Sequence, residues 1–326
     1  MSITSTVQCL IQTGNKQAII NALDLAKSEK IDLDWTPQQN IFRWLESYKK
    51  VKPSQDLAEQ LTQLYSIRQL DLSDQQLTET PKEIGALHNL MVLNLSNNQL
   101  KELPKEIGKL DNLSTLFLQG NQLTKLPNSI GQLNQLRWLN VWDNQLTEIP
   151  SSISKLTQLS YLSFAENQLT EIPESIANLS NLEYLHFFKN QLTEIPDFIK
   201  RFRKLKSLRL EYNQIQTLPS FIKNLRALTE ISLAHNQLST LPKEIGQLKV
   251  LKYLDFSNNK IPKLPTQLGE LPNLLLLWIN NNQLTQIPKT IEKLPNLEKL
   301  RIYENNLSEI QCHALQKAMP NCVIKS

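Results

Sequence analysis

The sequence predicts an α/β solenoid, in which short parallel strands alternate with irregular returns around a continuous hydrophobic core. Three observations lead to this prediction. Residues 67–307 repeat with a period of 23 residues, in eleven units without insertions. Leucine-type residues at positions four and six of each unit give the alternation of a short strand. Proline occupies position fifteen in ten successive units, where it ends strand pairing.

The turn after each strand carries the most regular polar residue of the repeat. The pattern is L-x-x-L-x-L-x-x-N-x-L-x-x-L-P-x-x-I-x-x-L-x-x, and position nine is asparagine in every unit except the first, which has Gln75. A turn buried between units leaves backbone N–H and C=O groups without strand partners. Because a primary amide both donates and accepts hydrogen bonds, we expect the asparagines to satisfy these groups.

This repeat resembles that of the leucine-rich repeat family over residues 67 to about 307. The 23-residue period and the L-P-x-x-I segment resemble the Ras-group class, which is found in intracellular signalling scaffolds, Roco proteins and many bacterial repeat proteins. Gln75 and Gln311 depart from the pattern in the first and last units, where capping is expected. The resemblance implies a leucine-rich-repeat solenoid that serves as an intracellular scaffold, although bacterial effectors exported without a cleaved signal have similar sequences.

The stacked units are expected to leave one side of their sheet uncovered. Neighbouring parallel strands lie about 4.8 Å apart, so eleven units give a sheet roughly 50 Å long. Strands pack more closely than the returns, which predicts a curved sheet with its strands on the concave face. Side chains alternate along a strand, so positions three, five and seven point away from the core onto this concave face. We call it the open face.

Both ends of a repeat stack need a cover. Residues 1–66 lack the repeat, and their pattern predicts helices over residues 16–30, from an N-cap at Thr36, and from Ser54 to about residue 65. We interpret this segment as a helical cap, with a separate protein-binding module as the alternative. Residues 308–326 are expected to form a C-terminal cap, in which a helix begins with a capping box from Ser308 to Gln311.

Aromatic residues are concentrated on the predicted open face of units three to seven. Trp138 and Trp142 both fall at outward positions of one strand, and the Trp138 position is tyrosine in the next two units. An exposed aromatic patch usually marks an interaction surface. The predicted partner-binding residues, including a charged rim, are Phe117, Trp138, Trp142, Asp143, Tyr161, Glu166, Tyr184, His186, Phe188, Lys189, Arg209, Glu211, Tyr212 and Trp278.

Sheet stacking and sugar binding are two alternative roles for these aromatic residues. Aromatic side chains on adjacent strands stack and stabilise a sheet by about 0.2–1 kcal/mol per pair, which would require no partner. A glycan receptor would also use Trp and Tyr platforms. We favour a protein or peptide partner bound on the concave face, because interface centres favour these residue types and the rim carries charges.

Composition and missing motifs argue against several other functions. The chain has 35 basic and 31 acidic residues, which is too even to predict nucleic-acid or membrane binding. No phosphate-binding glycine motif, HExxH or CxxC occurs, so we predict neither an enzyme nor a metal or other cofactor. Three cysteines are too few for a disulfide framework, although a Cys312–Cys322 bridge is conceivable. Without a recognisable signal peptide, we expect a cytoplasmic monomer or a protein exported without a cleaved signal.

Overall fold

The computed structural model describes residues 2–326, which divide into two compact units. The first contains residues 2–145 together with 149–158, and the second contains residues 159–326 together with 146–148. The first unit consists of four α-helices followed by the strands of four repeats, and the second consists of eight strands and one α-helix. In both units the predicted α/β repeat architecture is confirmed.

The first unit begins with four helices. They are α1 (Ile3–Gln12), α2 (Lys16–Ser28), α3 (Thr36–Ser47) and α4 (Leu57–Ser66). The helix α1 was not predicted. The N-cap of α3 is Trp35 and not Thr36, and no side chain of the described residues caps it; Thr36 is instead held by its N–H, which donates to Asp34 Oδ1 at 2.9 Å.

The four helices enclose a small core and contact the first repeats. Val7, Ile11 and Ile19 are fully or almost fully buried within this core. The Asn89 side chain, which lies before β2, donates from Nδ2 to the carbonyl oxygens of Gln12 (2.7 Å) and Tyr65 (2.9 Å). The repeats of the first unit are therefore hydrogen-bonded directly to the ends of α1 and α4.

Each strand is three residues long and pairs in parallel with a neighbour 23 residues away. In the first unit these are β1 (Gln69–Asp71), β2 (Val92–Asn94), β3 (Thr115–Phe117) and β4 (Trp138–Asn140). In the second unit they are β5 (Tyr161–Ser163), β6 (Tyr184–His186), β7 (Ser207–Arg209), β8 (Glu230–Ser232), β9 (Tyr253–Asp255), β10 (Leu276–Trp278), β11 (Lys299–Arg301) and β12 (Val323–Lys325).

The returns contain short 3-10 helices, each of which begins directly after the repeat proline. Their bounds are Lys82–Ala86, Lys105–Lys109, Asn128–Gln132, Ser151–Lys155, Glu174–Asn178, Asp197–Arg201, Ser220–Asn224, Lys243–Gln247, Thr266–Glu270 and Lys289–Lys293. Proline suits this position because its fixed φ is compatible with a helix start and its missing N–H has no helical partner.

Some of these 3-10 helices pack too closely for a side chain. A Cβ added at Gly131 would lie 2.3 Å from the carbonyl oxygen of Ser152, on the next 3-10 helix. Contacts this short do not occur, so glycine is required there for the spacing and not for an unusual φ.

The predicted role of the repeat asparagines is confirmed. Asn213 is buried, and its Oδ1 accepts from the Leu192 N–H at 2.9 Å. Its Nδ2 donates to the carbonyl oxygens of Phe187 (2.9 Å) and Leu210 (3.0 Å). One amide thus links the turn of its own repeat to the preceding repeat, as the donor and acceptor count of asparagine allows.

The residue just before each of these asparagines has a backbone conformation that the sequence did not predict. Position eight has a positive φ, for example +55° at Asp143, +52° at Lys189 and +57° at Tyr212. Left-handed backbone is uncommon for residues other than glycine, asparagine and aspartate. The turn geometry required for the asparagine contacts therefore fixes how the position-eight side chains leave the backbone.

The last unit ends in a helix and an additional strand. Helix α5 (Glu309–Ala318) begins with the predicted capping box between Ser308 and Gln311. The segment after it forms β12, which pairs in parallel with β11 and extends the sheet. Within residues 2–326, Cys9, Cys312 and Cys322 are free thiols, so the structure contains no Cys312–Cys322 bridge.

Candidate ligand-binding face

The structure confirms which strand positions belong to the core. In β4, Leu139 and the following Val141 are completely buried, whereas Trp138 is partly buried and Trp142 is 41% exposed. Small residues at outward positions behave differently from the prediction, because larger neighbours cover them. Ala165 and Ser163 are buried although both belong to the open face. This face is thus a packed surface from which the largest side chains protrude.

In the first unit the open face carries a small aromatic group. The rings of Phe117 and Trp138, on adjacent strands, lie 6.5 Å apart between centroids and are tilted by 57°. Trp142 follows β4, and its N–H donates to Asn140 Oδ1 at 3.2 Å. The exposed Asp143 has the left-handed backbone of position eight. The prediction that this group continues into the aromatic residues of the following repeats stays a prediction.

In the second unit two tyrosines and a histidine form a cluster on β5 and β6. The rings of Tyr161 and Tyr184 lie 6.0 Å apart, and both meet the His186 ring edge to face. The Tyr161 hydroxyl is 3.3 Å from His186 Nδ1, and His186 Nε2 is 3.3 Å from the hydroxyl oxygen of Ser207. Tyr184 is 36% exposed and covers this cluster toward solvent.

The His186 imidazole is held in its neutral form. Burial lowers its pKa from the ordinary 6.5 to about 4, and the nearby positive charge of Arg209 acts in the same direction. Burial also raises the pKa of the Tyr161 hydroxyl above its ordinary value. Both groups are therefore uncharged near neutral pH, and they present hydrogen-bonding groups and ring surface in place of charge.

Arg209 connects this cluster to the following repeats. Its guanidinium lies 4.7 Å above the Phe188 ring centroid, in a cation–π contact. It also pairs with Glu211, whose Oε1 accepts from Arg209 Nε at 2.9 Å. We predicted Glu211 as part of a charged rim, and this is wrong: its side chain is only 9% exposed, because it lies beneath its neighbours on the open face.

The other predicted rim residues are at the surface. Lys189 Nζ pairs with Glu166 Oε1 at 2.5 Å, between position-eight residues of adjacent repeats. Tyr212 is 47% exposed and stacks flat on His235, with centroids 4.0 Å apart and planes 9° apart. Since position eight has a left-handed backbone in both repeats, the same local geometry presents both rings side by side.

A depression of about 480 Å³ lies on the open face of β7–β10. We call it the acidic depression. It is lined by side chains that we predicted, namely Arg209, Glu211, Tyr212 and Trp278, and by others that we did not single out: Glu230, Ser232, Ala234, His235, Tyr253, Asp255, Ser257 and Leu276. The missed residues occupy the same outward positions of the repeat, but they lie outside the aromatic-rich units on which the sequence prediction concentrated.

Trp278 lies at the β10 side of the acidic depression. The guanidinium of Arg301 is 4.3 Å from its ring centroid and so occupies one face of the indole. Its Nε1 is buried without a hydrogen-bond partner among residues 2–326, as is Oε2 of Glu211. Two inaccessible polar atoms, one donor and one acceptor, are thus left unpaired in the lining of a single depression.

The described residues contain neither a candidate metal site nor a candidate membrane span. No group of three or more His, Cys, Asp or Glu side chains in residues 2–326 is placed to hold a metal ion. Over the same range, every helix is too short or too polar to cross a lipid bilayer.

The stacked strand–turn–return repeats with an open sheet define a repeat solenoid of the binding-module type. The family model described as a leucine-rich repeat region matches residues 40–125, 116–209, 150–239 and 231–318, so the chain belongs to the leucine-rich repeat family. The assignment to the Ras-group class stays a prediction. No curated protein matches the chain in sequence.

Several solved structures share the fold. The plant peptide hormone receptor RGFR1, in complex with RGF2, is 31% identical with a TM-score of 0.69, over 79% of this chain and 47% of the receptor. The leucine-rich repeat protein LIC12759 of Leptospira interrogans is also 31% identical, with a TM-score of 0.47, over 85% of this chain and all of that one. The internalin InlF of Listeria monocytogenes, at 23% identity and a TM-score of 0.62, covers 87% and 93%. This chain spans less than half the length of the plant receptor.

Proposed function

We propose that this chain is a non-catalytic module that binds a polypeptide along its open face. The observation that carries the proposal is the set of aromatic side chains that protrude there. In the second unit Tyr184, Tyr212 and Tyr253 are 36%, 47% and 44% exposed, although smaller residues between the strands are buried. Apolar rings exposed next to hydrogen-bonding and charged groups are typical of the centre of a protein interface.

The similarity to RGFR1 supports a peptide as the partner. That receptor was solved in complex with RGF2, and its identity and TM-score to this chain indicate more than a shared architecture. The hydrogen-bonding groups of the open face also suit a peptide: His186 and the Tyr161 hydroxyl are neutral, and Lys189 and Glu166 offer both charge signs. We propose further that the bound module is monomeric and cytoplasmic.

Stacking within the sheet is the alternative role of these rings, and mutagenesis separates the two. Peptides selected from a random library on the intact protein are titrated against the Tyr184→Ala/Tyr212→Ala double variant. If the open face binds them, their affinity falls by more than tenfold, since truncation of an aromatic hot spot costs about 2 kcal/mol or more. The matched control is Ile310→Ala, which removes a largely exposed apolar side chain from α5.

Thermal unfolding of the same variants completes the test. Exposed rings that serve binding contribute little to stability, so the double variant should unfold close to the intact protein. The proposal is wrong if the selected peptides bind both proteins equally, or if the double variant loses stability but no affinity. Binding of oligosaccharides in place of peptides, with the same loss on substitution, would identify a glycan receptor.

A further inference from the structure

The acidic depression carries more negative than positive charge. Glu211, Glu230 and Asp255 contribute three carboxylates to its lining, against the single guanidinium of Arg209. That guanidinium is already shared, because it bonds Glu211 and its Nε lies 4.0 Å from Glu230 Oε1. Charges on the walls of a low-dielectric concavity concentrate the field inside it. The depression therefore attracts cations and repels phosphates and carboxylates.

The two outer carboxylates are held in place by neutral donors. Glu230 Oε2 accepts from the hydroxyl of the buried Ser207 at 3.0 Å. Asp255 Oδ1 accepts from both the N–H (2.9 Å) and the hydroxyl (2.7 Å) of Ser257. These bonds orient the carboxylates without neutralising them, which leaves their charge available to a ligand.

The third carboxylate lies beneath the other two. The Glu211 side chain is nine-tenths buried, and its Oε2 has no hydrogen-bond partner in the described part of the chain. A buried carboxylate oxygen without a partner is costly and is rarely left so unless another group compensates it. A cation seated above it would supply that compensation, since a charge screened poorly by water acts across the floor of the depression.

Aromatic rings form the side walls. Tyr212, stacked on His235, bounds one side, and Tyr253 on β9 is 44% exposed. The Trp278 ring already stacks with Arg301 of this chain, so one of the lining rings holds a guanidinium in the structure itself. Tyr212 and Tyr253 are the rings left open to a ligand.

Building on the proposed function, we propose that the acidic depression receives an arginine side chain of the bound polypeptide. Glu230 and Asp255 are diagonal neighbours on paired strands, which places their Cα atoms about 7–8 Å apart. A planar guanidinium with five N–H donors spans two carboxylates at that separation and stacks on tyrosine. A lysine ammonium carries the same charge, but it lacks the planar surface and the fork of donors.

The test uses a small probe and does not require the natural partner. N-acetyl-arginine amide is titrated into the full chain, and the indole N–H signal of Trp278 is followed by NMR, after its assignment with Trp278→Phe. N-acetyl-citrulline amide, which has nearly the same shape and no charge, is the matched probe. The arginine probe should shift the Trp278 signal saturably, and the citrulline probe should bind at least about tenfold more weakly.

Three variants locate the site. Glu230→Gln and Asp255→Asn keep the hydrogen-bond acceptors for Ser207 and Ser257, so both should fold, and each should weaken the arginine probe about tenfold. Glu270→Gln is the control: it removes the same charge from an exposed side chain paired with Lys249, on a return outside the depression. It should change the affinity by less than about twofold. Added NaCl should weaken binding of the arginine probe but not of the citrulline probe.

Equal affinity for the two probes, or equal effects of Glu270→Gln and Asp255→Asn, would overturn the inference. The outcome is independent of the proposed function. If selected peptides bind the open face without arginine and ignore Asp255→Asn, the depression is not an arginine site although the face binds polypeptides. If the arginine probe binds as expected but no peptide depends on Tyr184 and Tyr212, the site stands and the proposed function fails.

Discussion

Replacement of a single repeat asparagine tests whether these amides hold the solenoid together. We consider Asn213→Leu, which nearly preserves side-chain volume and removes every hydrogen bond of the amide. Three backbone groups lose a partner: the Leu192 N–H and the carbonyl oxygens of Phe187 and Leu210. They are buried, so water cannot replace the lost bonds.

The expected cost follows from what each group keeps. The Phe187 carbonyl still accepts from Asn190 Nδ2 at 3.1 Å, and the Leu210 carbonyl from Asn236 Nδ2 at 2.9 Å. Only the Leu192 N–H is left without any partner among the described residues. One unsatisfied buried donor costs about 1–3 kcal/mol, whereas three would cost roughly 3–9 kcal/mol. We therefore expect the free energy of unfolding to fall by about 1–3 kcal/mol.

Urea unfolding followed by circular dichroism measures the loss, and amide hydrogen exchange at Leu192 measures it locally. Because repeats interact chiefly with their neighbours, exchange should accelerate at Leu192 and in the adjacent repeats, but little in helices α1–α4. The control is Gln214→Leu, a similar change on an exposed side chain, which should stay within about 0.5 kcal/mol. An Asn213→Leu protein as stable as its control, with Leu192 exchange unchanged, would refute the reasoning.

Two other predictions concern close packing and pH. Gly131→Ala should lower the free energy of unfolding by about 1–3 kcal/mol, because the new Cβ meets the Ser152 carbonyl at 2.3 Å, whereas Asn128→Ala at the exposed start of the same 3-10 helix should have little effect; equal urea midpoints for the two variants would contradict this. His186 is neutral in the fold with a pKa of about 4 and an unfolded value near 6.5, so its contribution is complete above about pH 6.5 and is lost as the pH falls toward 4, by about 3 kcal/mol in all. His186→Gln should remove that part of the pH dependence and His235→Gln, at an exposed histidine, should not; identical stability–pH curves for intact protein and His186→Gln would show that the imidazole does not titrate this way.

The repeat itself predicted most of the architecture. The leucine positions, the asparagines at position nine and the prolines at position fifteen each have one local physical role, and each recurs every 23 residues. A periodic signal of this kind specifies the strands, their parallel register and the side of the sheet that each residue occupies. Trp142 and Tyr184 were therefore placed correctly on the open face. The C-terminal capping box was equally local, and the structure confirms it at Ser308.

Other features depend on contacts between residues that the repeat separates. Helix α1 and strand β12 follow no periodic pattern, and β12 forms only because the edge of β11 offers backbone groups to pair with. The burial of Glu211 is another example, since it depends on the size and rotamers of side chains on adjacent strands and not on its own position. The same holds for the acidic depression, whose carboxylates come from three successive repeats.

The sequence by itself thus determined the repeat, its strands and the direction of each side chain, because these depend on local alternation and on backbone groups that every repeat must satisfy. Only the tertiary structure decided which outward side chains protrude, which are covered and where unpaired charge collects. The physical reason is that burial and charge on the open face are sums over neighbours 23 or 46 residues apart, and these residues vary from one repeat to the next.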